Sequence, residues 1–294
     1  MQKLKIKKSV LSHLLPGLAS LAKRGLAGWL VIFGAIVVAA VVVMTMVSPW
    51  IVPYDPSKIN VGQPLLPPSS QFPFGTDNLG QDMLSRVISG GGIMLQVAIL
   101  SVVVCLIIGV PLGLFSSYTG GVIDRFFSLI MDSVYAFPGL ILAIAIALVL
   151  GRGVINMALS IAVVYVPSYF RVIRSQVLSI KEVPYVEAAN AAGARKRTVL
   201  SRYILPNVVP SIAVVATVNF ADAILTAAGL TFIGMGVSID VPDWGWDLAN
   251  GRNFLLSGAW WVITFPGLMI ILLALGFTLM GEGLSELLSP RLEQ

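Results

Sequence analysis

Long apolar segments alternate with shorter polar segments along most of the chain. A helix of roughly 20 residues crosses a hydrocarbon core about 30 Å thick, and six segments are long enough to do so. Helices are expected because lipid offers no partner to a free backbone N–H or C=O, and the segments lack the alternation typical of barrel strands. The predicted spans are residues 27–52, 92–116, 123–150, 155–179, 207–236 and 259–288.

Composition supports the same fold class, an all-α membrane protein. The chain has 294 residues, of which 57% are hydrophobic and only 11% are charged, and its mean hydropathy is +0.91. Soluble domains carry about a quarter charged residues, so lipid must be the solvent for most of this chain. The single cysteine, Cys105, excludes a disulfide within the chain and a zinc site built from cysteines. No nucleic-acid-binding motif accounts for the net charge of +5.

The positive charges predict how the spans are oriented. Of the 19 lysines and arginines, four fall in the segments that would lie on one side of the membrane: Lys58, Arg86, Arg152 and Arg252. The other fifteen fall on the opposite side, which includes both chain ends. Because lysine and arginine accumulate on the cytoplasmic side, we expect both termini to be cytoplasmic.

The same pattern predicts the organisation of the chain. Residues 1–26 carry lysines between apolar positions and are expected to form a cytoplasmic amphipathic segment on the membrane surface. The first span, 27–52, is followed by an external loop, 53–91, which is rich in proline and is expected to end in a short helix capped near Asp77. Residues 92–292 form the core of the remaining spans. In the last outer segment, four tryptophans suit the membrane interface: Trp244, Trp246, Trp260 and Trp261.

The cytoplasmic loop 180–206 is unusual for a solvated segment. Pro184 suits the first turn of a helix and Gly193 suits its end, where Arg195, Lys196 and Arg197 complement the helix dipole. Small residues fill the positions between them: Ala188, Ala189, Ala191 and Ala192. Small side chains let another surface approach a helix backbone closely, so we expect a partner to dock on this loop.

The loop resembles the EAA motif of ABC importer permeases. The matching residues are Glu187-Ala188-Ala189, then Gly193, then Leu205-Pro206, while Tyr203 departs from the isoleucine of the general motif. In that family the loop forms a coupling helix that sits in a cleft of the ATP-binding subunit. The resemblance assigns coupling to the following residues: Glu187, Ala188, Ala189, Ala192, Gly193, Arg195, Leu205 and Pro206.

Further stretches resemble the dipeptide, oligopeptide and nickel branch of these permeases, and its shorter, C-type subunit most of all. Two departures occur, Gln81 for an arginine and Glu282 for an aspartate. The similar stretches are residues 74–86, 131–139, 229–236, 243–245 and 281–284, with Pro290-Arg291. The resemblance covers roughly residues 27–292.

This resemblance implies the type I importer permease fold with six transmembrane helices, in the inner (plasma) membrane. It implies four kinds of partner: a homologous second permease, two ATP-binding subunits, an extracytoplasmic substrate-binding protein and the lipid bilayer. The chain itself lacks a phosphate-binding G-x-x-x-x-G-K-[ST] loop, so it is not expected to bind ATP in the usual way. Its sequence shows no metal-ligand cluster and no nucleophile–base arrangement, so no catalytic residue and no bound cofactor or metal are expected. ATP and Mg²⁺ would be bound by the partner subunits.

Charged residues outside the loop leave alternatives open. Asp222 and Asp132 lie in or near spans, where a carboxylate is costly and must face protein or water. Each is a candidate pathway or gate residue or a packing contact, and packing is favoured for Asp132, with Arg125 nearby. Asp77, Asp82 and Arg86 are spaced to lie near one helix face. A structural salt-bridge cluster is favoured there over a contact to the binding protein.

The sequence favours short peptides as cargo, with nickel or its chelates and oligosaccharides as alternatives in the same class. An ion-driven secondary transporter is a more distant alternative. Such a carrier should show paired ionisable residues at the midplane and often inverted repeats, and neither is evident. An intramembrane enzyme would need a paired aspartate or a Ser/His arrangement that the spans do not supply.

Overall fold

The computed structural model describes residues 21, 24–237 and 241–288, and these are helical with irregular connections and contain no β-strand. The amphipathic segment predicted at the N-terminus, like Pro290 and Arg291, lies almost wholly outside the described residues. The helices are α1 Leu26–Ile51, α2 Met83–Ser89, α3 Gly91–Thr119, α4 Gly121–Tyr135, α5 Gly139–Leu150, α6 Val154–Ile180, α7 Pro184–Ala191, α8 Lys196–Val199, α9 Leu205–Phe232, α10 Trp244–Gly251 and α11 Trp261–Leu288.

Five helices of the described part are long and apolar enough to cross a membrane, and a sixth span results if the bent pair α4–α5 is counted as one. The predicted all-α membrane fold is therefore confirmed. We call the end of the bundle that carries α7 the inner end, and the end that carries α2 and α10 the outer end. These names follow the orientation predicted from the charges.

The prediction of one continuous span over residues 123–150 is wrong. The chain forms two helices, α4 and α5, which meet at an angle of 92°. The break lies at Phe137 and Pro138: proline has no N–H to donate, and its ring disfavours the helical conformation in the residue before it. The two helices together are still long and apolar enough to count as one span, so the length and hydropathy of the segment do not reveal the break.

Two helix boundaries also differ from expectation. The fifth predicted span, 207–236, ends as a helix at Phe232, and Gly234 follows with a positive φ of 91°. The short outer helix begins at Met83 and is capped by Asp82, whose side chain accepts a hydrogen bond from the Ser85 N–H. The predicted cap near Asp77 is therefore wrong.

The core of the described residues consists of two large apolar clusters along the bundle and a smaller one at the outer end, around Met83 and Trp261. Helix α3 packs along α6, and α9 packs against both of these helices and against α11. The first cluster includes Met94, Ile161 and Leu230, and the second includes Phe170 and Ile173 near the inner end. Close packing of α3 against α6 is possible because glycines on α3 leave room for the side chains of Tyr169 and Ile173.

Helices α1 and α11, the first and last long helices, also lie against each other. A Cβ placed on Gly34 would be 2.4 Å from the backbone oxygen of Gly276, so a larger residue at this position would separate the two backbones. Gly283 makes a similar approach to the oxygen of Ala27, where a Cβ would lie at 2.6 Å. The contact is therefore a backbone-to-backbone packing that depends on glycine.

Two of the tryptophans predicted for the membrane interface instead belong to the core. Trp244 and Trp261 are 0% and 6% exposed. Their indole N–H groups donate to the backbone oxygens of Val87, at 2.8 Å, and Thr76, at 3.0 Å. A buried indole requires such a partner, and these two bonds attach the last outer segment to the first one.

Candidate functional site

The predicted docking loop contains the helix expected from its sequence. Helix α7 begins with Pro184 in its first turn, with Glu187 also in the first turn, and is followed by Gly193 at a φ of 76°. That backbone conformation suits glycine, and the Gly193 N–H donates to the oxygen of Asn190 at 2.9 Å. The local helix is thus confirmed.

One side of this loop is anchored in the protein core. Val186, Val199 and Ile204 are each 0% exposed and belong to the inner apolar cluster with Phe170 and Ile173 of α6. Burial of these three aliphatic side chains fixes the loop against the ends of the long helices. A force applied to α7 therefore acts on the bundle through a packed contact and not through a flexible linker.

The opposite side of α7 is open. Ala188, Ala191, Ala192 and Gly193 are exposed, and Ala189 is half-buried. A Cβ placed on Gly193 would meet no atom within 4 Å. The predicted small-residue surface is therefore accessible, and it contains four of the eight residues assigned to coupling. Glu187 and Arg195 lie exposed beside it, and Leu205 and Pro206 are half-buried in the first turn of α9.

Side-chain hydrogen bonds also tie the loop to its neighbours. The Tyr118 hydroxyl of α3 donates to Asn190 Oδ1 at 2.9 Å. Asn207 Nδ2 donates to the Tyr185 hydroxyl at 3.1 Å and to the Tyr203 oxygen at 2.6 Å. Between α8 and α9, residues Leu200–Ile204 form a π-helical turn, a widened geometry that is frequent at functional sites. Tyr203, the departure from the motif, lies in this turn.

Two Arg–Asp pairs join α4 and α6 near the inner end. Arg171 Nη2 lies 3.0 Å from Asp132 Oδ1, and Arg171 also lies over the Tyr135 ring at 4.2 Å. Arg174 contacts both carboxylate oxygens of Asp124, at 2.7 to 3.1 Å. The ion-pair partner of Asp132 is thus Arg171, a residue that the sequence alone did not pair with it. The arrangement supports the packing role favoured for Asp132 and leaves its role as a gate untested.

Asp222 lies on α9 and is half-buried. Its backbone oxygen accepts a hydrogen bond from the Tyr165 hydroxyl of α6 at 3.4 Å. No hydrogen bond or ion pair reaches its carboxylate from the part of the chain that the structure describes. Asp222 and Asp132 are therefore in unlike surroundings, because Asp132 has a cation beside it and Asp222 has none.

At the outer end, Arg86 is the centre of a buried polar cluster. Its Nε and Nη2 lie 2.8 Å and 2.7 Å from Asp247 Oδ1, and the two side chains are 0% and 3% exposed. Its Nη1 donates to Gln81 Oε1 at 3.0 Å and to the Pro56 oxygen at 3.1 Å. Because Gln81 supplies an acceptor to Arg86, the departure from the arginine of the motif adds a contact here.

The two carboxylates predicted to join Arg86 instead bind backbone groups. Asp77 Oδ1 accepts from the N–H groups of Leu79 and Gln81, and Asp82 caps α2. The prediction that both lie on one helix face with Arg86 is wrong, because α2 begins only at Met83. The favoured structural role of the cluster is supported, but its ion-pair partner, Asp247, was not predicted, and no sequence spacing indicates it.

Asp243 closes the same region from the other side. Its Oδ1 accepts from the N–H groups of Gly245 and Trp246, which caps α10. Burial raises the pKa of the Asp243 carboxyl to about 6, although these two hydrogen bonds act to lower it. Burial likewise raises the pKa of Asp77, against the lowering effect of its backbone hydrogen bonds and of Arg86.

No group of three or more His, Cys, Asp or Glu side chains within the described ranges is placed to hold a metal ion.

Comparison with known proteins identifies relatives over most of the chain. Residues 109–294 match the family model described as "Binding-protein-dependent transport system inner membrane component". Residues 28–68 match that of the "N-terminal TM domain of oligopeptide transport permease C".

Among curated proteins, the chain is 38% identical to the probable D,D-dipeptide transport system permease protein DdpC of Escherichia coli (strain K12), over 89% of this chain and 88% of the relative. It is 38% identical to the dipeptide transport system permease protein DppC of Alkalihalophilus pseudofirmus, over 90% of this chain and 86% of the relative. It is 39% identical to the di/tripeptide transport system permease protein DppC of Pseudomonas aeruginosa, over 88% of each.

Proposed function

Because this chain belongs to the family of binding-protein-dependent transport system inner membrane components, we propose that its α7 loop is the docking site for an ATP-binding subunit. The chain is a multi-pass inner-membrane permease of an ABC importer and is not the ATP-hydrolysing subunit. One observation carries the proposal: α7 exposes a surface of small residues while its other side is buried in the core.

In this mechanism the permease forms half of the translocation pathway, and a homologous second permease forms the other half. Two partner subunits bind ATP and Mg²⁺, and an extracytoplasmic binding protein delivers cargo to the outer end. Closure of the ATP-binding pair moves α7, and the buried contacts of Val186 transmit that movement to α6 and α9. The pathway then alternates between two states whose populations ATP changes.

The proposed cargo is a short peptide. Its support is that the relatives described above are named as permeases for dipeptides and for di/tripeptides. Nickel or its chelates and oligosaccharides are the alternatives within the same class of importer. Uptake assays with the binding protein of the same system, comparing a dipeptide with a nickel chelate and an oligosaccharide, distinguish these cargoes.

A substitution on the open face of α7 tests the docking site. In Ala188→Arg the long side chain occupies the space that a partner would need, whereas Ala188→Ser keeps the surface small. Because Ala188 is exposed, neither change should unfold the chain. Gly193 is less suitable, since its positive φ makes any substitution strained.

We expect Ala188→Arg to lower ATP-driven uptake at least tenfold and to reduce the ATP-binding subunits recovered with the tagged chain in mild detergent. Ala188→Ser should remain within twofold of the wild type in both measurements. Normal uptake and recovery in Ala188→Arg would contradict the docking assignment. Transport by the chain alone, without ATP, would favour an ion-driven carrier instead.

A further inference from the structure

Counted along its helix, Asp222 lies at the depth expected for the middle of a hydrocarbon core about 30 Å thick, if the outer end of α9 marks the membrane surface. Asp222 precedes Phe232, the outer end of α9, by ten residues, which corresponds to about 15 Å along a helix. Tyr165, which contacts it from α6, follows Val154 by eleven residues, or about 17 Å from the outer end of that helix. Both helices thus place this contact at a similar depth, far from either membrane surface.

The surroundings of Asp222 form a polar seam between α6 and α9. The Tyr165 hydroxyl lies 2.9 Å from Thr226 Oγ1 and 3.4 Å from the backbone oxygen of Asp222. Asn219, one turn before Asp222, is 4% exposed, and Tyr169 of α6 is 0% exposed. Hydroxyl and amide groups therefore accumulate at this depth, in a region whose other side chains are mainly aliphatic.

The Asp222 carboxylate has no counter-charge among the residues that the structure describes. Asp222 is half-buried. Its neighbours one turn away on the same face, Val218 and Leu225, are apolar and 41% and 52% exposed. Because a carboxylate is costly in lipid, this face must adjoin protein or water. A cationic group from outside the chain would stabilise an anionic carboxylate at this position.

We propose that Asp222 binds the α-ammonium group of the peptide as it passes the middle of the membrane. This inference rests on the proposed function. An α-amino group has a pKa of about 7.7–8.0 and is mostly cationic at neutral pH, so every unblocked peptide carries this charge whatever its side chains. A single carboxylate therefore recognises the class of unblocked peptides without selecting among sequences. One contact of this kind is also weak enough to release the cargo.

The test uses the complete importer, with its binding protein, reconstituted in proteoliposomes, and measures radiolabelled dialanine taken up per ATP hydrolysed. Asp222→Asn removes the charge and keeps the shape, whereas Asp222→Glu keeps the charge. Leu225→Asn places the same amide one turn away on the same face and serves as the matched control. A change that merely weakened the fold would lower uptake and ATP hydrolysis together, so the ratio separates the two effects.

We expect Asp222→Asn to lower the uptake per ATP at least tenfold, with Asp222→Glu within threefold and Leu225→Asn within twofold of the wild type. An unchanged ratio in Asp222→Asn would overturn the inference. So would loss of the second permease from the purified Asp222→Asn complex, since Asp222 would then pair with a basic residue of that subunit. Absence of ATP-driven uptake in the wild type would instead count against the proposed function.

Discussion

The outer cluster around Arg86 and the inner loop around α7 use charged and small residues in opposite ways. At the outer end, Arg86 and Asp247 are buried and bound to each other, and the indoles of Trp244 and Trp261 are hydrogen-bonded inside the chain. At the inner end, α7 and the residues that follow it leave alanines and cations exposed.

The buried groups of the Arg86 cluster therefore maintain the fold, whereas the exposed residues of α7 are available to a partner. A buried ion pair that loses one member leaves the other charge uncompensated, so removing Arg86 or Asp247 alone should lower stability. An exposed alanine on α7, such as Ala188, has no ion-pair partner to lose. We therefore expect substitutions at the outer cluster to change stability, and substitutions on α7 to change transport.

The largest effect is expected from Arg86→Leu, which leaves the Asp247 carboxylate buried without its cation. Removing one partner of a buried pair typically costs about 3–5 kcal/mol. Denaturant titration of the purified chain in detergent would measure the free energy of unfolding. The double variant Arg86→Leu/Asp247→Leu should recover part of the loss, because it leaves no buried charge. A loss below about 1 kcal/mol in the single variant would contradict this account.

The next effect concerns pH. Since the folded-state pKa of Asp243 is about 6 and its ordinary value is 3.8, the fold favours the protonated carboxyl. The contribution of Asp243 to the free energy of unfolding is therefore fully present below about pH 4 and is lost as the pH rises through 6. The total change is about 3 kcal/mol, at 1.36 kcal/mol per pKa unit.

Asp243→Asn keeps a side-chain oxygen to cap α10 but cannot titrate. Between pH 4 and pH 7, the free energy of unfolding should therefore decrease less with rising pH for Asp243→Asn than for the wild type. Parallel curves for the two proteins would show that Asp243 does not titrate in this range.

The smallest effect distinguishes the two inner Arg–Asp pairs. The side chains of Arg174 and Asp124 are 36% and 11% exposed and share several hydrogen bonds, whereas those of Arg171 and Asp132 are 52% and 67% exposed. We expect Arg174→Ala to lower the free energy of unfolding by about 1–2 kcal/mol, and Arg171→Ala to lower it by less than about 1 kcal/mol. If denaturant titration gave the same loss of unfolding free energy for both variants, solvent exposure would not explain the strength of the two pairs.

Hydropathy predicts the membrane spans well. Lipid cannot hydrogen-bond the backbone, so each apolar segment of sufficient length must form a helix. Hydropathy does not predict the direction of a helix axis. The bend between α4 and α5 depends on one proline, and prolines at other positions, such as Pro111 in α3, lie within continuous helices. The packing around each proline decides the outcome, and that packing involves residues distant in sequence.

The same distinction applies to the candidate sites. Helix α7 is predictable because its signals, Pro184 and Gly193, act on the backbone within a few residues. The partner of Arg86 is not predictable from local spacing, because Asp247 lies 161 residues away. Spacing suggested Asp77 and Asp82 instead, and both bind backbone groups close to them in sequence.

The glycine-dependent contact between α1 and α11 has a consequence for biosynthesis. The two helices are separated by residues 52–260, which take roughly 10–40 s to synthesise at about 5–20 residues per second. During that interval the face of α1 that carries Ala27, Val31 and Gly34 has no α11 to cover it. Helix α1 is thus in the membrane before α11 has been synthesised. A chain truncated before Trp261 would keep that face open, where membrane quality control could recognise it.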